Sequence, residues 1–219
     1  MSHHRHHALA PAISKAGLYY LPSHASATDL SYMLQQMAGH AVTAPPIAND
    51  VNNQLVVRRQ PDLSREMMQR IHTFDGPVLL LSAACAHRLE LAAVLSRFAA
   101  DITDLQPHRQ WRLETILQET ISNAICHGSL EISPHGDQAA LQARLNDPGH
   151  GGRLIAVGWH LTPAGLDCFI MDQGEGFDAD AIHDNERQTY KGLNMIGTLT
   201  AAHHTDHGTC LNFKFPLNS

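Results

Sequence analysis

Aromatic side chains and basic charge are both scarce in this chain. Phe, Trp and Tyr make up 5% of its 219 residues, so a buried core must be built mainly from Leu, Ile, Val, Met and Ala. The formal net charge is −6 with histidines neutral, and the sequence contains no block of Lys or Arg. Nucleic acids and anionic membranes are bound through basic faces or segments. The composition therefore argues against both as main partners.

Long apolar runs are also missing. The longest extends from Val78 to Ala86 and ends at His87 and Arg88, which makes it too short to cross a bilayer. The N-terminus has no continuous apolar stretch after its basic residues. We therefore expect neither a transmembrane helix nor a secretory signal, and we expect a cytoplasmic protein.

The sequence lacks paired metal-binding motifs as well. Its four cysteines form no CxxC pair and lie in apolar stretches, which predicts reduced core thiols in a cytosolic protein. Of the 17 histidines, four belong to the run His3–His7, which we leave out of fold reasoning because such runs resemble purification tags. His203, His204 and His207 are close enough in sequence for a metal patch, but no cysteine or carboxylate constellation supports one.

The pattern of the chain changes near residue 75. Residues 1–74 predict an N-terminal extension, partly disordered, with short helices and a Pro-containing linker. Such short helices cannot build a core alone and must pack on the main domain, on a second copy or on a partner, of which we expect the main domain. Residues 75–219 predict that domain, an ATP-binding domain by the resemblance described below.

Four segments of residues 75–219 have strand patterns. Pro77–Ser82 predicts a buried strand, and Leu154–Leu161 and Leu166–Met171 predict a hairpin. Thr209–Leu217 alternates cleanly and predicts a last strand. Its expected inward residues are Leu211, Phe213 and Phe215, and its expected outward residues are Asn212 and Lys214.

Helical spacing appears between these strands. Helices are predicted around Leu91–Phe98, from His108 to His127 and after Gly192, whereas Ser129–Arg153 is rich in Gly and Pro and predicts a loop region. The expected fold class is α+β. It is a two-layer sandwich of a mixed, mostly antiparallel sheet with helices on one face.

The helix around residue 119 carries the first candidate functional side chains. Glu119, Asn123 and His127 recur at intervals of four residues, which places them on one helix face. A solvated polar edge of an amphipathic helix would have the same pattern. Gly128 predicts the stop of this helix. The apolar stripe beside the polar edge contains Leu113, Ile116, Leu117, Ile121 and Ala124.

A second candidate segment has the sequence Asp172-Gln-Gly174-Glu-Gly176-Phe177. A carboxylate at a strand end can accept hydrogen bonds from an exocyclic amine. Gly174 and Gly176 remove side chains, so a flat ring can approach the backbone. A simple turn after a strand has the same pattern, so this motif gains weight only in combination with others.

Such a combination is present, because the motifs follow one another in a fixed order. The E-x-x-x-N helix precedes D-x-G-x-G-F, which precedes Lys191-Gly192-Leu193 and then Gly208-Thr209 before the last strand. This order resembles the GHKL superfamily of ATPases, and residues 75–219 are most similar to its bacterial anti-sigma-factor serine kinases. The resemblance implies the histidine kinase-like ATPase fold, with ATP and Mg²⁺ as cofactors.

The resemblance also implies a role for each matching residue. Glu119 would be the catalytic general base, and Asn123 would hold Mg²⁺. Asp172 would accept the adenine amino group, and residues 177–191 would form a lid. The ATP-binding positions would be Asn123, His127, Asp172, Gly174, Gly176, Phe177, Lys191, Gly192, Leu193 and Thr209.

The expected function is that of an ATP-dependent serine/threonine protein kinase that phosphorylates or sequesters a protein. By resemblance, the partner would be a sigma factor, an anti-sigma antagonist or a response regulator, and the kinase would be a homodimer. Two alternatives stay open. A nucleotide-gated binding module without efficient transfer is favoured by Asn194, which stands where the family often has a second glycine. A histidine-kinase catalytic domain would act in trans, since neither His40 nor His72 lies in an acceptor motif.

Overall fold

A computed structural model describes residues 18–41, 63–103, 105–133, 136–162, 165–176, 201–205 and 208–217. Within these ranges the protein consists of one mixed sheet and helices on its two faces. The strands are β1 (Leu18–Leu21), β2 (Val78–Ser82), β3 (Leu154–Thr162), β4 (Gly165–Asp172), β5 (Ala201–Thr205) and β6 (Cys210–Pro216). The helices are α1 (Ala27–Ala41), α2 (Arg65–Thr73), α3 (Ala83–Arg88), α4 (Leu91–Thr103), α5 (Pro107–Asn123), α6 (Gln138–Asn146) and α7 (Pro148–Gly151).

The six strands lie in the order β1-β2-β3-β4-β6-β5. The β1–β2 pair is parallel and the other four pairs are antiparallel. This arrangement confirms the expected α+β class with a mixed, mostly antiparallel sheet. The β3–β4 register runs up to Thr162 opposite Gly165, as expected for a hairpin.

The larger core lies between one face of the sheet and helices α1, α3, α4 and α5. The alternation of strand side chains decides which residues enter it, because successive residues point to opposite faces. Leu79 and Leu81 of β2 point into this core. The apolar stripe expected on α5, including Leu113, Ile116 and Ile121, is buried there as well.

Helix α2 lies on the opposite face, so the expectation of helices on one face only is wrong. Met67 and Ile71, one turn apart on α2, pack with Val78, Leu80 and other strand residues in a second buried cluster. Every residue of β2 is buried. A strand that is apolar on both faces needs cover on both faces, and α2 supplies the second cover.

The N-terminal segment belongs to the same sheet and the same core. Leu18–Leu21 pairs in register with Val78–Leu81, and Leu30 and Leu34 of α1 are buried in the larger core. The helices of the N-terminal part thus pack on the main domain, as expected. A division at residue 75 does not separate two cores within the described residues.

Three further details differ from the sequence-based expectations. The region Ser129–Arg153 contains helices α6 and α7, both begun by the side chain of an aspartate that accepts a backbone N–H at the first turn. Asn212 does not face solvent: it is buried, because α2 covers that face of β6. Strand β5 was not predicted, since its sequence Ala-Ala-His-His-Thr has no alternating pattern.

The helix predicted after Gly192 lies outside the described residues, whereas all four cysteines lie within them. Cys85, Cys126, Cys168 and Cys210 are all free thiols, and three of them are buried. None of the described helices has both the length and the apolar character that crossing a bilayer requires.

Candidate functional site

The polar edge of α5 borders the larger core. Glu119 and Asn123 lie one helical turn apart and are both half-buried, next to the fully buried Thr120 and Ile121. Neither the Glu119 nor the Asn123 side chain makes a hydrogen bond or an ion pair within the described part of the chain. A carboxylate and an amide are therefore held at the core boundary, one helical turn apart.

The sequence predicts that the helix stops at Gly128, but helical structure continues through this residue. A π-helical turn, Ala124–Ser129, follows α5 directly, and the amide of Leu130 donates to the carbonyl of Ile125 over 2.8 Å. His127 and Gly128 both lie within this π turn. Such π turns are rare and often occur at functional sites.

His127 is exposed and is held by the chain that follows the π turn. Its Nδ1 lies 2.7 Å from the carbonyl oxygen of Ile132. Because a carbonyl oxygen can only accept, Nδ1 carries the proton in this contact. The Nε2 atom of the neutral ring is then an acceptor, and the protonated ring would be a donor there.

Gly128 packs directly against the carboxylate of Asp172. A Cβ atom at residue 128 would lie 2.3 Å from Cγ of Asp172 and 2.4 Å from each of its carboxylate oxygens. No other residue type fits this position without displacing the carboxylate. The π turn thus joins the two candidate segments, which are far apart in sequence, at the end of β4.

Asp172 is buried and carries an unusual protonation equilibrium. It is 7% exposed, and burial raises the pKa of its carboxyl group to about 7. The Gly174 amide, which donates to Oδ1 over 2.8 Å, and the positive charge of Arg153 both lower that pKa in part. A carboxylate with these surroundings can change its protonation state near neutral pH.

Gly174, Gly176 and Thr209, which the sequence predicts as site residues, all belong to the described part of the chain. A Cβ at Gly174 would lie 2.4 Å from the carbonyl oxygen of Gly128, so this glycine also permits a close approach. Gly176 has φ 75°, a left-handed conformation that favours glycine. The carbonyl of Thr209 accepts the amide N–H of Asp172 over 3.1 Å, which places the Thr209 backbone beside that of Asp172.

Arg153 and Glu131, which the sequence reasoning missed, fix the end of the π turn. The guanidinium of Arg153 donates to the carbonyl of Ser129 over 3.1 Å and to the carboxylate of Glu131. Glu131 has φ 52°, an uncommon backbone conformation for a residue with a side chain. A positive φ cannot be read from a glutamate in a sequence, so no local signal marked this pair.

Four predicted site residues lie outside the described residues: Phe177, Lys191, Gly192 and Leu193. The expected lid between Phe177 and Lys191 lies outside them too. Of the histidines considered for a metal patch, His207 and the side chain of His204 are not described either. The described residues contain no group of three or more His, Cys, Asp or Glu side chains that could hold a metal ion.

Asp172 and Asn123 could supply ligand atoms to an adenine nucleotide and its Mg²⁺. Gly128 and Gly174 bring backbone, not side chains, against the Asp172 carboxylate, because a Cβ atom at either position would lie within 2.8 Å of a carboxylate atom. With Oδ1 engaged by the Gly174 amide, Oδ2 remains to accept a hydrogen bond from an amino group. The amide oxygen of Asn123 is a suitable Mg²⁺ ligand, because this ion prefers oxygen donors and keeps several waters.

Replacing Gly128 with alanine is expected to destabilise the protein by about 1–3 kcal/mol, because the added methyl group overpacks the Asp172 carboxylate. The loss should be smaller in an Asp172→Ala background, where the obstructing atoms are gone. Gly149→Ala is the matched control, since its Cβ would meet nothing nearer than 3.5 Å. Denaturant unfolding of the four variants measures the coupling, and equal losses in both backgrounds would contradict the contact.

Comparisons with known proteins identify no family for the chain. No protein-family model matches the chain, and no curated protein matches it significantly.

Proposed function

We propose that this protein binds Mg-ATP and acts as a serine/threonine protein kinase of the anti-sigma-factor type, phosphorylating or sequestering a protein partner. The partner would be a sigma factor, an anti-sigma antagonist or a response regulator. The proposal extends the observed α+β architecture to the histidine kinase-like ATPase fold.

One observation carries the proposal: the contact of Gly128 with the Asp172 carboxylate. The two motifs of the resemblance were identified separately in the sequence, and nothing in their patterns requires them to meet. Their contact supports a single pocket in which Asp172 accepts the adenine amino group. The same helix would then bring Asn123 and Glu119 towards the phosphates.

Each residue would have a defined task in this pocket. Asn123 would hold Mg²⁺ through its amide oxygen, and Asp172 would orient the purine. The nucleotide supplies the γ-phosphoryl group. Glu119 would accept the proton of an acceptor hydroxyl while a new oxygen–phosphorus bond forms and the bond to the β-phosphate oxygen breaks, leaving ADP.

The direct test is incubation of the purified full chain with ATP labelled at the γ-phosphate, in a lysate of its source, followed by electrophoresis. Label on a small protein that survives acid supports serine or threonine transfer. Acid-labile label would indicate a histidine or aspartate relay instead. ATP binding without any label would favour the nucleotide-gated binding module, and failure to bind ATP would overturn the proposal.

Asn123→Ala is expected to abolish the Mg²⁺-dependent part of ATP affinity while the fold stays intact. Asn123 is half-buried at the end of α5 and makes no hydrogen bond within the described residues, so its truncation removes a ligand atom and little packing. Calorimetric titration with ATP, with and without Mg²⁺, measures the effect. Gln118→Ala on the exposed face of α5 is the control. An unchanged difference between the two titrations would refute the metal assignment.

A further inference from the structure

A concave site lies on the face of the sheet opposite the larger core. It is a groove of about 580 Å³ between helix α2 and strands β4, β5 and β6. Small-molecule sites typically have volumes of roughly 300–1,000 Å³. Neither Asp172 nor the polar edge of α5 lines this groove, so it is separate from the proposed nucleotide site.

The strand register defines the floor of the groove. Asn212 of β6 and His203 of β5 lie side by side and line it, and Phe169, opposite Asn212 on β4, is fully buried. Asp167 and Lys214 form the neighbouring row, two residues along the strands, and their side chains make an ion pair of 3.2 Å. An aromatic and amide row therefore adjoins a charged row on a rigid sheet.

Arg70 of α2 reaches over this floor and is fixed in place. Its guanidinium carbon lies 4.8 Å from the centre of the Phe169 ring and 5.4 Å from that of Phe74. A terminal nitrogen donates to the buried amide oxygen of Asn212, whose own amide donates to Thr205 over 3.2 Å. The guanidinium is thus preorganised, which is the state in which arginine recognises carboxylates best.

The positive charge of Arg70 has no acidic partner among the described residues. The ion pairs found there involve other cations, and the Nε–H group of Arg70 is buried without a hydrogen-bond partner. The Nε–H group is too buried to meet a ligand, so an anionic group would bind at the terminal nitrogens of this groove-lining side chain. Structural arginines that merely tie a helix to a sheet do not require an open groove beside them.

The rim of the groove carries the opposite charge. Glu66 and Asp75 are exposed and line it, together with Asp167 from the floor. These carboxylates repel a polyanion such as a nucleotide or a phosphorylated sugar, and they attract an ammonium group. Because Asp167 is paired with Lys214, which also lines the groove, the groove combines the Arg70 guanidinium with the rim carboxylates of Glu66 and Asp75.

We propose that this groove binds a small organic zwitterion of about dipeptide size, with its carboxylate on Arg70 and its ammonium group at Glu66 and Asp75. The groove would recognise the ligand by the distance between its carboxylate and its ammonium group. Binding here is independent of nucleotide binding, because the two sites lie on different faces of the sheet.

The test uses the full chain and three probes that differ in charge: the dipeptide alanyl-alanine, its N-acetyl form and its C-terminal amide. Titration calorimetry should give saturable binding of the free dipeptide and at least tenfold weaker binding of either blocked form. No saturable binding below about 10 mM would overturn the proposal. Equal binding of the N-acetyl form would overturn the role of the rim, and equal binding of the amide would overturn that of Arg70.

Two variants assign the groups. Arg70→Gln should weaken dipeptide binding at least tenfold, whereas Arg97→Gln, an exposed arginine on α4, should leave it unchanged. Asp75 is exposed, so its replacement removes no core contact. Asp75→Asn should weaken binding of the free dipeptide but not of its N-acetyl form. If Arg70→Gln unfolds the protein, the comparison of the two dipeptides in Asp75→Asn still tests the proposal. Equal losses for both probes in Asp75→Asn would refute the zwitterion.

Discussion

Asp172→Asn is expected to lower the affinity for ATP about a hundredfold while the protein stays folded. Oδ1 of Asp172 accepts the Gly174 amide N–H, so an asparagine would keep its oxygen there and turn its NH₂ group toward the ligand. Two donors, the asparagine NH₂ and the adenine amino group, would then face each other without an acceptor. An unmet buried donor of this kind costs about 1–3 kcal/mol, and two are created here.

The same exchange should alter base preference, which a structural defect would not. Inosine triphosphate presents an oxygen acceptor where ATP has an amino group, so the Asp172→Asn protein should gain at least tenfold in affinity for it relative to ATP. Asp167→Asn is the control, because this half-buried carboxylate lies on the same strand but lines the opposite face. Unchanged ATP affinity in Asp172→Asn would remove the carboxylate from the nucleotide site.

The stability of the Asp172→Asn variant has a predictable pH dependence. Burial raises the pKa of Asp172 to about 7, above the ordinary value of 3.8, so the folded protein retains a proton that the unfolded chain has released between these pH values. The wild type therefore loses stability from this group as the pH rises from 4 to 7, and the asparagine does not. The Tm of the variant relative to the wild type should increase by several degrees between pH 5 and pH 8.

Affinity for ATP should also change as Asp172 ionises, but it should rise with pH where stability falls. The carboxylate is the better acceptor for the adenine amino group when it is ionised, so ATP binding by the wild type should strengthen as the pH rises through about 7. Binding by the Asp172→Asn variant should lack this step. A flat profile in the wild type would place another group opposite the adenine.

The strands that could be predicted from the sequence are those with a clear local pattern. Leu211, Phe213 and Phe215 alternate with polar residues in β6, and all three are buried as expected. Asn212 breaks the rule, because a polar residue between apolar ones normally faces solvent. Its burial depends on Arg70 and helix α2, which lie far away in the sequence and supply its hydrogen bond.

The position of α2 could be predicted only in part, because the sequence of β2 indicates that a second cover exists but does not identify it. Val78 and Leu80 are as apolar as Leu79 and Leu81, which indicates a strand covered on both faces. The sequence does not say which element covers the second face. Met67 and Ile71 give α2 a narrow apolar stripe that would suit either face, and only the packed fold decides.

Some residues of the candidate site could be predicted from the sequence, and others could not. Asp172, Gly174 and Gly176 could be selected from the sequence only because their motif follows the E-x-x-x-N helix in the order of the resemblance. The role of Gly128 could not be predicted, since a glycine after a helix usually marks its end. Its contact with Asp172 follows from the π turn, which no residue type in Ala124–Ser129 specifies. The π turn is thus the part of the site that required the structure.

Glu119→Gln is expected to reduce phosphoryl transfer by about 10²–10⁴-fold and to leave ATP affinity within about threefold of the wild type. The substitution preserves the size and half-buried position of the side chain but removes its capacity to accept a proton. Single-turnover transfer from labelled ATP, with a separate binding titration, distinguishes the two effects. Glu114→Gln is the matched control, because Glu114 is also a half-buried glutamate of α5 but lies outside the motif.

The outcome of the Glu119 experiment separates a catalytic carboxylate from a polar helix edge. A solvated edge residue changes neither transfer nor binding when its charge is removed, and a structural one changes both through the fold. A general base changes transfer alone, and Glu119→Asp should recover only part of the rate because its carboxylate is one methylene short. Transfer that persists in Glu119→Gln would show that the proton leaves by another route, and it would assign Glu119 to the border of the core.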